Sequence, residues 1–419
     1  MNIINRFFGV ENLIPKKYHS QSLPSTEEVY KKTLKIVWPS AMEAILISLI
    51  GAVDMMMVGG LGTNAIAAVG ITTQPKFLIM AFVLALNTGT TVIVSRRKGE
   101  NNQEGARRSL RNALVLSVVI SLISTIIGLV FSREILTFSG ANSDYINEAM
   151  SYFNIVLVGN FFYLISLTIT AAQRGVGNTK ISLITNLSAN IVNIIFNYLL
   201  INGIWIFPRW GVAGAAVATA MGNVVSLILA IYNLSHKDNF LHLNFKQDWS
   251  LDPKTLVSIW KISSSSLIEQ VFIRIGFMMY AKAVAGLGTL QFATHYIVMQ
   301  VMSITFSTGD GLSIATSSLV GQSLGAKRPD LAYLHGKVSQ RIGVAISISL
   351  AILIILNRSL IISLFSSEAE IIDLGAQILI ILSFIIQFQI AQVITVGSLR
   401  GAGDVRFVAM LSLLSVTNI

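Results

Sequence analysis

Cysteine is absent from the 419-residue chain. That excludes disulfides, thiolate metal sites, haem attachment and thiol catalysis. Charge is scarce as well. Only 12% of the residues are charged, against about 25% in soluble domains. The five histidines (His19, His236, His242, His295 and His335) lack metal-ligand spacing, so neither a metal site built on them nor a cofactor is expected. No paired catalytic groups on facing segments argue for an intramembrane enzyme. No selectivity-loop signature argues for a channel. The polar start, residues 1–35, has no cleavable signal pattern.

Apolar residues fill the space that charge leaves: 53% of the chain is hydrophobic and the mean hydropathy is +0.70. A soluble core cannot hide that much apolar surface, so the excess must face lipid. Runs able to supply roughly 20 helical residues, the span of a bilayer core, fall near 37–58, 65–95, 112–132, 147–172, 182–203, 211–234, 257–284, 291–321, 340–357 and 374–398. An eleventh begins near 407. The 31 glycines suit helices that pack closely in lipid.

The net charge of +10 would suggest nucleic acid in a soluble protein, but its placement gives another meaning. With the N-terminus and every second loop assigned to one side, that side carries 23 of the 30 Lys and Arg residues and the opposite loops carry only Arg133, Arg209 and Arg358. This alternation is the positive-inside pattern. It predicts a multi-pass protein of the cell (inner or plasma) membrane with a cytoplasmic N-terminus and no nucleic-acid partner.

The chain also repeats itself at an offset of 226 residues. That shift pairs Ser40 with Ser266, Glu43 with Glu269, Gln74 with Gln300, and Gly60-Leu61-Gly62-Thr63 with Gly286-Leu287-Gly288-Thr289. It ends on Arg174-Gly175-Val176-Gly177 against Arg400-Gly401-Ala402-Gly403. Six spans separate equivalent positions, so both halves have the same topology, as in parallel-repeat transporters. The expected fold is an all-α polytopic membrane protein of two six-helix bundles related by a pseudo-twofold axis along the membrane normal. The expected segments are a leader (1–35), an N-terminal lobe (36–234), a cytoplasmic linker (235–256) and a C-terminal lobe (257–419). The repeat predicts a second half reaching near 460, so a C-terminus cut within span 11 is expected.

Several stretches resemble the multidrug and toxic compound extrusion (MATE) family, with its NorM-like and DinF-like branches. They are Trp38-Pro39-Ser40 leading to Val53-Asp54-Met55-Met56-Met57-Val58-Gly59-Gly60, Gln173 to Thr179, Gly211 to Ala216, Val320 to Ala326, and Leu399 to Asp404. The resemblance covers residues 35 to 419. It implies a monomeric antiporter that exports lipophilic organic cations in exchange for protons or sodium by alternating access. Membrane lipids and small cationic substrates would be its partners. A same-fold carrier of a lipid-linked glycan or an organic acid is the alternative. Acids rather than arginines in the spans favour cationic cargo.

Polar groups within the spans are the candidate site, because charge in a bilayer is costly and tends to be functional. Asp54 sits mid-span among Val53 and Met55–Met57. A carboxyl there can alternate between protonated and ionised forms or bind sodium, and the resemblance implies an acid at this position. Glu43 and Glu269 are repeat equivalents that flank a cavity or serve structurally, and Arg274 is an available partner for Glu269. Asp310 lies between Gly309 and Gly311, which allow close backbone approach. Asn186, Asn190, Asn193 and Asn197 in the fifth span share one helix face, which lines a cavity or joins helices. In the DinF-like branch the last of these is an acid, and here it is an amide. Asp404, Gln74 and Gln300 are further candidates. Lys76 and Lys282 read as snorkelling or paired. The two Arg-Gly-x-Gly segments read as helix-ending turns with arginine at the anionic leaflet.

Overall fold

The computed structural model describes residues 9–10, 13–14, 23–61, 63–141, 144–243, 249–285, 289–365 and 368–417. Among these residues the protein is all helical. In chain order the helices are α1 (Thr26–Gly59), α2 (Thr63–Gly99), α3 (Gln103–Val130), α4 (Ser132–Phe138), α5 (Ile146–Gly175) and α6 (Thr179–Asn202). They continue as α7 (Gly211–Ser235), α8 (Pro253–Ala285), α9 (Thr289–Gly325), α10 (Pro329–Ser363), α11 (Ala369–Ala402) and α12 (Val405–Thr417). Eight described helices are long and apolar enough to cross a bilayer. α8 and α9, of 33 and 37 residues, lie over two more expected spans.

Every expected apolar run is found as a helix, and the helices extend past the runs at one or both ends. Hydropathy marks only the part in hydrocarbon, whereas backbone hydrogen bonding carries a helix on into the headgroups. The short α4 was not anticipated. The expected end of the ninth run at 357 coincides with a local break in α10 at Asn357 (φ −113°, ψ 16°). Proline lies inside α1 (Pro39) and α2 (Pro75). The repeated motif at 286–288 lies outside the described residues, as do the side chains of Met55, Arg274, Met278, Met279 and Lys282.

The helices form two compact units. One comprises Met1–Ile45, Gly99–Asn101 and Ile268–Ile419; the other comprises Leu46–Lys98 and Asn102–Leu267. Helix α1 therefore contributes its first part to one unit and the remainder, with Asp54, to the other. The first unit has a core of Ile36, Val37, Leu312, Leu319, Leu379, Ile386, Ile390 and Ile394 around α9, α10 and α11. The second has several smaller clusters, among them Val58, Tyr152, Val156, Ile201, Val212 and Ala216.

Glycine brings helices together by the same device in each unit. A Cβ at Gly175 of α5 would strike the carbonyl of Thr91 in α2, and a Cβ at Gly401 of α11 would strike that of Ser317 in α9. Both members of the first pair lie 226 residues before those of the second. In lipid there is little hydrophobic drive between helices, so such close backbone approach supplies the packing.

Candidate functional site

The site is built around α7, whose start, Gly211-Val212-Ala213-Gly214-Ala215-Ala216, has almost no side-chain bulk. Gly214 packs on the Leu200 carbonyl of α6 and Gly222 on that of Ala189, while Gly159 of α5 packs against Ala220. Three helices thus meet at backbone distance. Thr219 on α7 and the asparagine face of α6 come into register there, beside the second part of α1.

Asp54 is half-buried. Its Oδ1 accepts from Asn197 Nδ2 at 2.7 Å. The Asn193 nitrogen lies 2.7 and 3.1 Å from the Asp54 oxygens and donates to them, and its oxygen accepts from Thr219 N at 3.1 Å and from Thr219 Oγ1 at 3.2 Å. Thr219 Oγ1 also lies 3.0 Å from the Ala215 carbonyl of its own helix. An ionised carboxylate accepts only, and both amides serve it as donors.

The surroundings are otherwise closed. Asn193 and Asn197 are 5% and 1% exposed, and Tyr152 beside them is buried. Lys76 of α2 lies near enough to interact electrostatically with Asp54. Asn197 Oδ1 is buried with no hydrogen-bond partner. An orphaned carbonyl oxygen next to a carboxylate is a donor set that suits a hard cation such as sodium. Among the described residues, no group of three or more His, Asp or Glu side chains could hold a metal.

The other candidates divide as follows. Asn190 is half-buried on the same face of α6, with Asn186 buried one turn earlier. Glu43, Glu269 and Asp310 belong to the other unit. Glu269 is 3% exposed, and its Oε1 accepts from Arg400 Nη2 at 2.7 Å. Arg400 therefore turns inward to a buried acid instead of outward to the leaflet, and its side chain is only 16% exposed. Arg174, its repeat equivalent, is also buried and donates to Ser182 Oγ at 2.9 Å. Gly311, next to Asp310, packs against the Ser40 carbonyl of α1, so a close approach occurs there. Asp404 is exposed and caps α12, accepting from Phe407 N at 3.3 Å. Gln74 and Gln300 are exposed.

Lys76, Thr219 and Tyr152 were not singled out as site residues. A lysine within an apolar helix was a usable signal for the first. Nothing in the sequence distinguishes Thr219 or Tyr152 from other helix-packing residues.

Comparison with known proteins adds identity to this geometry. A family model for MatE matches residues 39–199 and 266–419. The chain is 26% identical over 403 residues to the uncharacterized transporter YisQ of Bacillus subtilis, covering 96% of this chain and 88% of that protein. It is 29% identical over 389 residues to the probable multidrug resistance protein NorM of Photorhabdus laumondii, covering 90% and 83%. In fold it is similar to a multidrug resistance MATE family transporter of the MOP superfamily in an outward-facing conformation. That likeness has a TM-score of 0.85 at 22% identity over 92% of this chain and 85% of the other. The VcmN MATE transporter of Vibrio cholerae gives 0.86 at 17% identity, over 93% and 87%. With its two matched segments starting 227 residues apart, close to the internal offset, the chain belongs to the MatE family of membrane transporters.

Proposed function

We propose that this chain is a secondary antiporter that exports lipophilic organic cations in exchange for protons or sodium, with Asp54 as the coupling carboxylate. It works as a multi-pass protein of the cell membrane with its N-terminus in the cytoplasm, and its two halves move as lobes in alternating access. The observation that carries this reading is the set of neutral hydrogen-bond partners around Asp54. Asn197 and Asn193 stabilise its charge by hydrogen bonds without neutralising it. The acid can therefore be emptied and refilled by a proton, by sodium or by a cationic substrate, each excluding the others. Buried acids in membranes mark such pathways.

With Asp54 ionised, the Asn193 and Asn197 nitrogens both donate to it. A proton on Asp54 turns one acceptor oxygen into a donor, so the amide hydrogen bonds that link α1 to α6 and, through Thr219, to α7 must rearrange when the acid is filled. Sodium would use Asp54 with the free Asn197 carbonyl oxygen. Lys76 lowers the cost of holding negative charge and competes with cationic cargo.

The test uses the chain in proteoliposomes with an imposed proton or sodium gradient and a fluorescent lipophilic cation. Wild type is expected to move the dye against its gradient. Asp54→Asn, with an unchanged melting profile, is expected to fall to the level seen without a gradient. Gradient-driven transport by folded Asp54→Asn would remove Asp54 from the coupling role.

A further inference from the structure

A groove runs along the seam between the first part of α1 and α10, entirely within one unit. Tyr30, Leu34, Trp38 and Ala41 on α1 face Ile342, Ala345 and Ile346 on α10 across a space of about 270 Å³. Arg341 also lines it and is the one charged group among its lining residues. A second hollow of about 300 Å³ shares Ala345 and Ile346 and continues past Ser349 and Leu350 to Leu353.

We propose that this seam is a binding site for one anionic phospholipid of the inner leaflet, with its phosphate at Arg341 and an acyl chain along α10. Three observations point to that occupant. First, the apolar runs begin at residues 37 and 340, so Trp38 and Arg341 both stand where hydrocarbon gives way to headgroups. Tryptophan and tyrosine favour that level, and Trp38 is 59% exposed.

Second, charge is complementary at that end. Arg341 lines the groove, and Lys31, Lys35 and Lys337, close in sequence to its lining residues, are exposed. A planar guanidinium can take two phosphate oxygens at once, and basic pockets between membrane helices on the cytoplasmic side select anionic headgroups. Third, the dimensions match. From Arg341 to Leu353 is 12 residues, about 18 Å of helix, against about 15 Å for half of the bilayer's hydrocarbon core.

The inner end of the seam is closed by the buried contact of Thr33 Oγ1 with His335 Nδ1 at 3.0 Å and by Val29, Leu334 and Val338. The chain of a bound lipid therefore has one direction in which to run, outward along α10. A lipid seated there would brace the first part of α1, which carries Pro39.

The test is native mass spectrometry of the full chain, purified in detergent and supplied with equal phosphatidylglycerol and phosphatidylcholine. Wild type is expected to retain phosphatidylglycerol over phosphatidylcholine by about fivefold, the ratio that one basic residue near an anionic surface supplies. Arg341→Gln is expected to bring that preference to parity. Ala345→Phe, which fills the groove and keeps the charge, is expected to lose the retained lipid. Each variant is read only where its melting profile matches wild type, and either alone suffices. No preference in wild type, or an undiminished preference in a folded variant, would overturn the proposal. Neither result bears on Asp54, because the readout is lipid retention and not transport.

Discussion

Two acids within the helices, one in each unit, receive opposite treatment. Glu269 meets a guanidinium from Arg400 at 2.7 Å, whereas Asp54 meets the amides of Asn197 and Asn193. An arginine never gives up its proton in a protein, so the Glu269 pair is neutral as a pair and fixed in place. Amides carry no charge and can present either a donor or an acceptor. The same kind of side chain is thus tied to a fixed charge in one unit and held by neutral amides in the other, which is the contrast behind the exchangeable role proposed for Asp54.

The sharpest way to break this comparison is to remove both acids in turn. Asp54→Asn is expected to abolish gradient-driven transport while leaving the melting temperature near that of wild type. Glu269→Gln is expected to lower stability and retain a gradient dependence. Proteoliposome flux paired with thermal melts decides, and a swap of the two phenotypes would reverse the roles.

Next in size is the loss of the brace itself. Arg400→Ala leaves Glu269 charged and unpaired in a buried place, which costs about 3–5 kcal/mol when a buried pair is broken from one side. A low yield of folded protein in fluorescence-detected gel filtration is expected. Replacing both partners together, Glu269→Gln with Arg400→Gln, is expected to recover most of it.

A smaller effect refines the amide half of the comparison. Asn193→Leu removes one hydrogen bond to a charged acceptor, worth about 1.5–3 kcal/mol. It is expected to slow transport by about tenfold or more without abolishing its gradient dependence. If Asn193→Leu matched Asp54→Asn, the amide would be as indispensable as the acid.

The smallest effect comes from an acid outside the bilayer. Asp252 precedes α8 and accepts from the Thr255 hydroxyl at 2.5 Å and from the Lys254 and Thr255 backbone N–H groups. The Thr255 hydroxyl first, and those N–H groups after it, hold its carboxyl below the ordinary range. A depressed value means that the contribution is full above the ordinary carboxylate range and is lost as pH falls through the lowered one. Asp252→Asn is therefore expected to lower the melting temperature slightly at neutral pH and to match wild type in strong acid.

The helices were legible because lipid imposes one simple demand, long apolar runs with the backbone satisfied internally. Asp54 and the asparagine face were legible for the same reason, as polar groups are conspicuous in such runs. Partners were not. The sequence offered Arg274, five residues from Glu269, whose side chain lies outside the described residues; the arginine found on Glu269 is 131 residues away. Placing Arg400 at the leaflet followed the average habit of arginine near a helix end, and a buried acid within reach overrode it. The 226-residue offset did hold a clue, because it duplicates Glu43 with Glu269 and Arg174 with Arg400. Thr219 stayed hidden because a threonine bonded to its own helix looks like any other.

The paired glycine contacts, Gly175 on Thr91 and Gly401 on Ser317, have a historical consequence. They are a shared inheritance of the two halves, whereas the position equivalent to Asp54 is Tyr280 and that equivalent to Lys76 is Met302. After duplication, the two copies diverged at these positions while both kept the close helix approach that holds the scaffold. A side chain at the glycines would clash in both copies alike, while the acid stands in one copy only.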